Sequence, residues 1–197
     1  MFVTKDVSSI ASLLKDNTGS VVAYPTETFY GLGALITDHA AIERIISIKG
    51  RDAAKGMIIL ASDMDMVYRI ADVDLRQKKL LKRFWPGPLS AVLKVKPGID
   101  SFLAPSGKVA IRISPDVTAL FLIREAGPIT STSANISGRP ASCSPEDIKA
   151  QNLDVDAILD GGMTPGGKPS TLIDLTVWPP KCLRDGAIAF ETILDAL

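Results

Sequence analysis

Five short segments of this 197-residue sequence carry side chains that could bind or transform a small polar ligand. Pro25-Thr26-Glu27-Thr28-Phe29-Tyr30-Gly31-Leu32-Gly33 sets hydroxyls beside glycines that permit close backbone approach. Lys49-Gly50-Arg51-Asp52-Ala53-Ala54-Lys55-Gly56 gathers three cations within seven residues. A guanidinium forks onto phosphate oxygens and an ammonium adds a point charge, so Lys49, Arg51 and Lys55 could grip a polyphosphate. Basic residues at a helix C-terminus also offset its dipole, and that reading stays open. Lys108-Val109-Ala110-Ile111-Arg112 ends an apolar run on a guanidinium, which if buried demands a carboxylate from the protein or from a ligand. Thr130-Ser131-Thr132-Ser133-Ala134-Asn135-Ile136-Ser137-Gly138 offers a dense array of neutral donors and acceptors, or a capped turn.

The fifth segment, Gly161 to Ser170, nearly matches a phosphate-binding P-loop, with Gly162, Gly167 and Lys168 correctly spaced. Pro169 stands where the metal-binding hydroxyl is needed, and a strand pattern follows where the loop requires a helix N-terminus. It is not a P-loop. Its four glycines make it the candidate for a mobile lid. Arg76, Lys78, Lys79, Lys82 and Arg83 form a further basic cluster on one helical stretch. It reads as a solvated face that could also dock tRNA.

The elements that must position these segments follow from periodicity. Val7, Ile10, Ala11 and Leu14 recur at helical spacing, and Asp38 can cap a helix with Ala41, Ile42, Ile45 and Ile46 on one face. Further helices are expected over 74–84, from Ser114-Pro115 as cap and first residue to about Ala126, at Ser144-Pro145, and over Glu191–Leu197. Ser62-Asp63-Met64-Asp65 has the form of a capping box. Apolar, β-branched runs at 21–24, 57–60, 89–95, 109–113, 129–132, 157–159 and 171–175 read as strands. This alternation predicts one α/β domain over 1–197, a twisted, mixed, open sheet flanked by helices, with the polar loops at strand ends carrying the site.

Composition narrows the chemistry. Charges balance to zero, so no overall field draws the chain to nucleic acid or membrane. No apolar stretch approaches a membrane span, the N-terminus does not resemble a secretion signal, and Cys143 and Cys182 lack metal-ligand spacing. A cytoplasmic address is the default expectation. With His39 as the one histidine, placed at a helix start, neither a multi-histidine metal site nor an imidazole base is expected. The chemistry must run on Lys, Arg, hydroxyls, backbone amides and a metal brought by substrate.

Six blocks occur in one order: Pro25 to Gly33, the Lys49-x-Arg51 pair, Phe84-Trp85-Pro86-Gly87-Pro88, Val109 to Arg112, Ser131 to Gly138, and Ser170-Thr171-Leu172-Ile173-Asp174. That order strongly resembles the YrdC-type threonylcarbamoyl-AMP synthase family, over roughly residues 7 to 193. The resemblance implies a YrdC-like fold with a large basic cavity. It implies a nucleotidyltransferase that forms threonylcarbamoyl-AMP and pyrophosphate from L-threonine, bicarbonate and ATP, with magnesium carried by the ATP and no resident metal. Downstream enzymes would transfer the group to tRNA. The chain looks like the short form of the family. By motif, Thr28, Arg112, Ser133 and Ser170 hold threonine, with Arg112 on its carboxylate. Arg51, Lys55, Asn135 and Arg184 hold ATP, and Lys49 and Arg51 serve catalysis by neutralising phosphate charge. The chain departs from the family pattern at Asp52, Lys108, Leu60 and Cys143, and Lys108 could add a nucleotide contact. Two rivals remain: a non-catalytic module that binds double-stranded RNA or tRNA or matures ribosomes, and a carbamoyl transferase, which would call for additional domains.

Overall fold

Short apolar runs alternate with amphipathic stretches, and in the computed structural model, which describes residues 1–50 and 56–197, they become strands and helices in turn. The order is β1 (Phe2–Thr4), α1 (Val7–Asp16), β2 (Val22–Tyr24), β3 (Gly31–Gly33), α2 (His39–Lys49), β4 (Ile58–Leu60), α3 (Met64–Ile70), β5 (Ala71–Asp72) and α4 (Leu75–Phe84). There follow β6 (Leu89–Val95), β7 (Lys108–Arg112), α5 (Val117–Ala126), β8 (Ile129–Ser133), α6 (Pro145–Ala150), β9 (Ala157–Leu159), β10 (Thr171–Asp174), β11 (Lys181–Arg184) and α7 (Phe190–Leu194).

Among the described residues the strands form one open sheet in the order β1-β9-β2-β3-β8-β4-β7-β6-β10-β11, with β5 added beside β6. Pairing is mixed, as expected. β4 and β7 run parallel, as do β6 and β10, whereas β8 is antiparallel to both β3 and β4. β8 therefore joins the β2–β3 hairpin to the rest of the sheet. The fully buried side chains of Leu32, Ile59, Leu93, Ile111 and Ile158 belong to five of these strands, and α1 and α5 pack on each other. No described helix is long and apolar enough to cross a membrane.

Two caps lie away from the expected residue. The N-cap of α3 is Asp63, whose side chain accepts from Met66 N, while Ser62 donates to Asp63 instead. The N-cap of α5 is Asp116, and Ser114 is buried against Glu27. A carboxylate offers two acceptor oxygens to the orphan amides of a helix start, so the aspartate, one residue on at α3 and two at α5, displaces the serine. Ser144 caps α6 as expected, with Asp147 completing the box. β1, β3, β5 and β11 were not anticipated.

β3 exists in its Gly-Leu-Gly form because of Tyr24, which is fully buried and donates to Thr130 O at 2.9 Å. A Cβ on Gly33 would stand 2.6 Å from Tyr24 Cε1, and one on Gly31 3.3 Å from the same ring. The ring lies where side chains of β3 would otherwise be. Gly33→Ala should therefore destabilise the protein by about 1–3 kcal/mol, read as a lower midpoint in thermal or urea unfolding.

At the start of α2, exposed His39 lies 2.6 Å from Asp100 and stacks on Phe102 with ring centroids 5.1 Å apart. This clamp ties the β6–β7 connection to α2. The hydrogen bond to Asp100 raises the His39 pKa above 6.5, so the folded state binds the proton more tightly than the unfolded chain. The stabilisation is fully present below 6.5 and is lost as pH rises through the raised folded value. His39→Gln should lower the unfolding midpoint at about pH 6 and equal the unaltered protein at about pH 9, in urea titrations at each pH.

Candidate active site

The loop after β2, the C-terminal end of β8, the outward face of β4 and β7, the residue before β10 and the end of β11 converge on one cavity of about 440 Å³. That volume is in the range of small-molecule sites, about 300–1,000 Å³. Thr28, Lys49, Arg112, Ser133, Asn135, Ser170 and Arg184 all line it. The seven described residues assigned to threonine, ATP or phosphate by motif are thus brought together. Arg51 and Lys55 lie outside the described residues. Among the described lining residues there are three cations and no carboxylate.

Arg112 sits at the last position of β7, 4% exposed. Its Nη1 donates to Glu27 Oε1 at 2.7 Å and reaches Thr28 Oγ1 at 3.5 Å, while its buried Nε has no partner among the described residues. The carboxylate that this guanidinium was expected to need is supplied in part by the protein. The Thr26 hydroxyl shapes the loop by donating to Phe29 O at 2.7 Å and accepting from Thr28 N at 3.2 Å. Thr28 is thereby turned toward the cavity.

Lys49, the last residue of α2, is 5% exposed. Its Nζ donates to Ser133 O at 2.6 Å and to Asn135 O and Oδ1 at 3.0 Å each. The ammonium lies beneath the loop after β8 and holds it by three oxygens. Ser133 donates to Asn135 Oδ1 at 2.6 Å, and the Asn135 amide donates to Ile136 O and Arg139 O. The loop thus presents a fixed set of polar groups over a buried positive charge.

At the opposite wall, Ser170 and Ser90 share a hydrogen bond of 2.8 Å, both buried. Arg184 donates through Nη2 to Ser170 O at 2.8 Å and Oγ at 3.1 Å. Tyr30 lines the cavity, donates to Gly162 O at 2.7 Å and accepts from Gly161 N. Burial pushes its pKa up to about 12, so the phenol stays neutral. Thr164 N bonds Cys143 O and Gly166 N bonds Thr28 O, both at 2.8 Å. The glycine-rich stretch is thus tied at three points, and only Pro169 and Ser170 of it line the cavity. The expected lid finds no support in this geometry. Lys108, a candidate nucleotide contact, lies outside the lining and pairs with Asp174 at 3.2 Å.

Glu27, Ser114 and Ser90 were not singled out. The signal for Glu27 was present, since it lies in the Thr-Glu-Thr loop and Arg112 called for a carboxylate. A hydroxyl inside the apolar run Leu89-Ser90-Ala91-Val92-Leu93 was an equally legible sign of a buried polar partner.

Residues 15–186 match the Sua5/YciO/YrdC family model, described as "Telomere recombination". The chain is similar to the threonylcarbamoyl-AMP synthase of Pyrococcus abyssi, 40% identical over 179 residues, covering 89% of this chain and 53% of that protein. It is also similar to that of Bacillus subtilis, 39% identical over 193 residues, covering 95% and 55%. A crystal structure of P. abyssi Sua5 complexed with L-threonine superposes with a TM-score of 0.93 at 35% identity, over 100% of this chain and 61% of that one. The chain spans about half the length of these curated relatives.

Removing the Lys49 ammonium would take the charged donor from Ser133 O and from Asn135 O and Oδ1, leaving Ser133 O with the Asn135 N–H and Asn135 Oδ1 with the Ser133 hydroxyl. Lys49→Met should cost about 2–4 kcal/mol of stability in urea unfolding. The nearly isosteric side chain isolates the loss of the charge and its hydrogen bonds.

Proposed function

The chain belongs to the Sua5/YciO/YrdC family, and from that premise we propose that it forms threonylcarbamoyl-AMP and pyrophosphate from L-threonine, bicarbonate and ATP. One observation carries the reading: a pinned, buried guanidinium, two hydroxyl loops and a second arginine meet in one cavity. In this reading Arg112 receives the threonine carboxylate, with Thr28, Ser133 and Ser170 around the amino acid. Asn135 and Arg184 border the nucleotide, joined by Arg51 and Lys55 from the segment outside the described residues. Lys49 adds positive charge from beneath the loop, and with Arg51 would offset charge on the phosphates. The threonine-bound P. abyssi Sua5, alike in fold, supports the substrate assignment.

The reaction asks for placement more than for proton transfer. The threonine amine, as the free base, attacks the carbon of bicarbonate with loss of water, or of carbon dioxide with loss of a proton, and either route gives the carbamate. A carbamate oxygen then attacks the α-phosphorus of ATP, and the bond to pyrophosphate breaks. Holding two anions within reach and neutralising developing charge supplies the acceleration. The described lining offers hydroxyls, carbonyls and cations, so magnesium would travel on the phosphates of ATP as part of that substrate. A cytoplasmic location, hand-over of the product to enzymes that modify tRNA, and contact with tRNA itself belong to the same proposal.

Pyrophosphate release from magnesium-ATP should require threonine and bicarbonate together, and Arg112→Ala should lower it about 100-fold. Release with neither co-substrate would mark a nucleotidase. No release in any mixture, with salt-sensitive tRNA binding intact, would favour the non-catalytic RNA-binding module.

A further inference from the structure

Arg112 alone is a poor carboxylate receptor. Its side chain has several rotatable bonds, and a fork that grips a carboxylate must arrive in one plane and one orientation. The surroundings of its guanidinium remove that freedom. Glu27 Oε1 takes Nη1 at 2.7 Å, and Glu27 Oε2 accepts from the hydroxyl of Ser114. Ser114 is fully buried, and its oxygen also accepts from the backbone N of Asp116, the N-cap of α5, at 3.2 Å.

Proton directions in this chain are fixed by chemistry. A backbone amide only donates, and a carboxylate paired with arginine only accepts. The single Ser114 proton must therefore point at Glu27. Amide, hydroxyl, carboxylate and guanidinium form one directed relay, from the start of α5 to the floor of the cavity. Glu27 itself does not line the cavity. It touches Arg112 from behind and holds one edge of the fork. The remaining donors of Arg112, among them the unpartnered Nε, keep hydrogen-bonding capacity.

We propose that Glu27, fixed by Ser114, is the positioning residue that sets the Arg112 fork for the carboxylate of the amino-acid substrate. The inference rests on the reading that Arg112 receives that carboxylate. Preorganising a receptor lowers the ordering cost of binding, so the effect falls on amino-acid affinity. It does not extend to Asn135 and Arg184 on the nucleotide side, because the side-chain hydrogen bonds of Glu27 and Ser114 among the described residues run to Arg112, to each other and to Asp116.

Isothermal titration of purified protein with L-threonine, and separately with magnesium-ATP, tests this in Ser114→Ala, Glu27→Gln and Glu27→Asp. Ser114→Ala removes the brace without unpairing a buried charge. It should weaken threonine binding about tenfold while ATP affinity moves less than about twofold. Glu27→Gln should weaken threonine further, and Glu27→Asp should recover part of the loss. In turnover, the change should fall mainly on KM for threonine rather than on kcat. Unchanged threonine affinity in folded Ser114→Ala would overturn the proposal, and so would equal weakening of both substrates, which marks a purely structural role. If Glu27→Gln fails to fold, Ser114→Ala decides. Absence of threonine binding by the unaltered protein would remove the substrate assignment, and this proposal with it.

Discussion

The buried pair of Arg112 and Glu27 is the interaction around which the site is arranged. A guanidinium with almost no solvent contact is tolerated only when paired and hydrogen-bonded, because removing a charge from water costs several kcal/mol. Glu27 comes from the loop after β2, Arg112 from β7 and Ser114 from the approach to α5. These strands are separated in the sheet by β3, β8 and β4. Meeting the demand of one side chain therefore draws distant parts of the sheet toward a common centre. A hydrophobic pair could have packed there as well. A charged pair leaves a receptor for an anion.

The same logic governs Lys49 on the other side of the cavity. Its charge is stabilised by main-chain and amide oxygens of the loop after β8, which are dipoles already fixed by the fold. Such an arrangement does not reorganise when a ligand's charge changes during reaction, which is the physical content of electrostatic preorganisation. Carbamate formation and adenylation spread negative charge over carboxylate and phosphate oxygens. A site built from pinned cations, hydroxyls and amides suits that demand without an imidazole, and the one histidine of the chain clamps a loop to α2 elsewhere.

Much of this was legible in the residue pattern. Alternating apolar runs and capped amphipathic stretches specify a mixed α/β sheet, and the motif order picked out seven residues that converge on one cavity. The losses have physical causes. The two glycines of β3 carry no strand propensity; its pairing with β2 and β8 makes it a strand, and the Tyr24 ring beside it leaves no room for larger residues, which are tertiary facts. β1 and β11 are short edge strands with exposed residues, so burial left no period-two signature in them. At α3 and α5, serine and aspartate were both able to cap, and local spacing could not rank them. Four glycines at 161–167 suggest mobility, but Tyr30 bonds Gly161 N and Gly162 O, Cys143 O accepts from Thr164 N, and Thr28 O accepts from Gly166 N, which fastens the segment. Glycine content describes the freedom of the unfolded chain, not of the folded loop.

Ser170 joins the two halves of the cavity. It shares a hydrogen bond with buried Ser90 and accepts from Arg184 at both its carbonyl and its hydroxyl. The Arg184 nitrogen that donates to the hydroxyl cannot accept, so the Ser170 proton points either at Ser90 or into the cavity. If Ser90 donates, Ser170 is left as a donor toward an anion. If Ser170 donates to Ser90, it offers the cavity only a lone pair. A negative ligand beside Ser170 favours the first arrangement, and the pair can take it up by rotating two hydroxyls, without moving the backbone. On the proposed assignment, Ser170 borders threonine and Arg184 borders ATP. The orientation of this hydroxyl pair therefore sets whether Ser170 meets the cavity as donor or as acceptor.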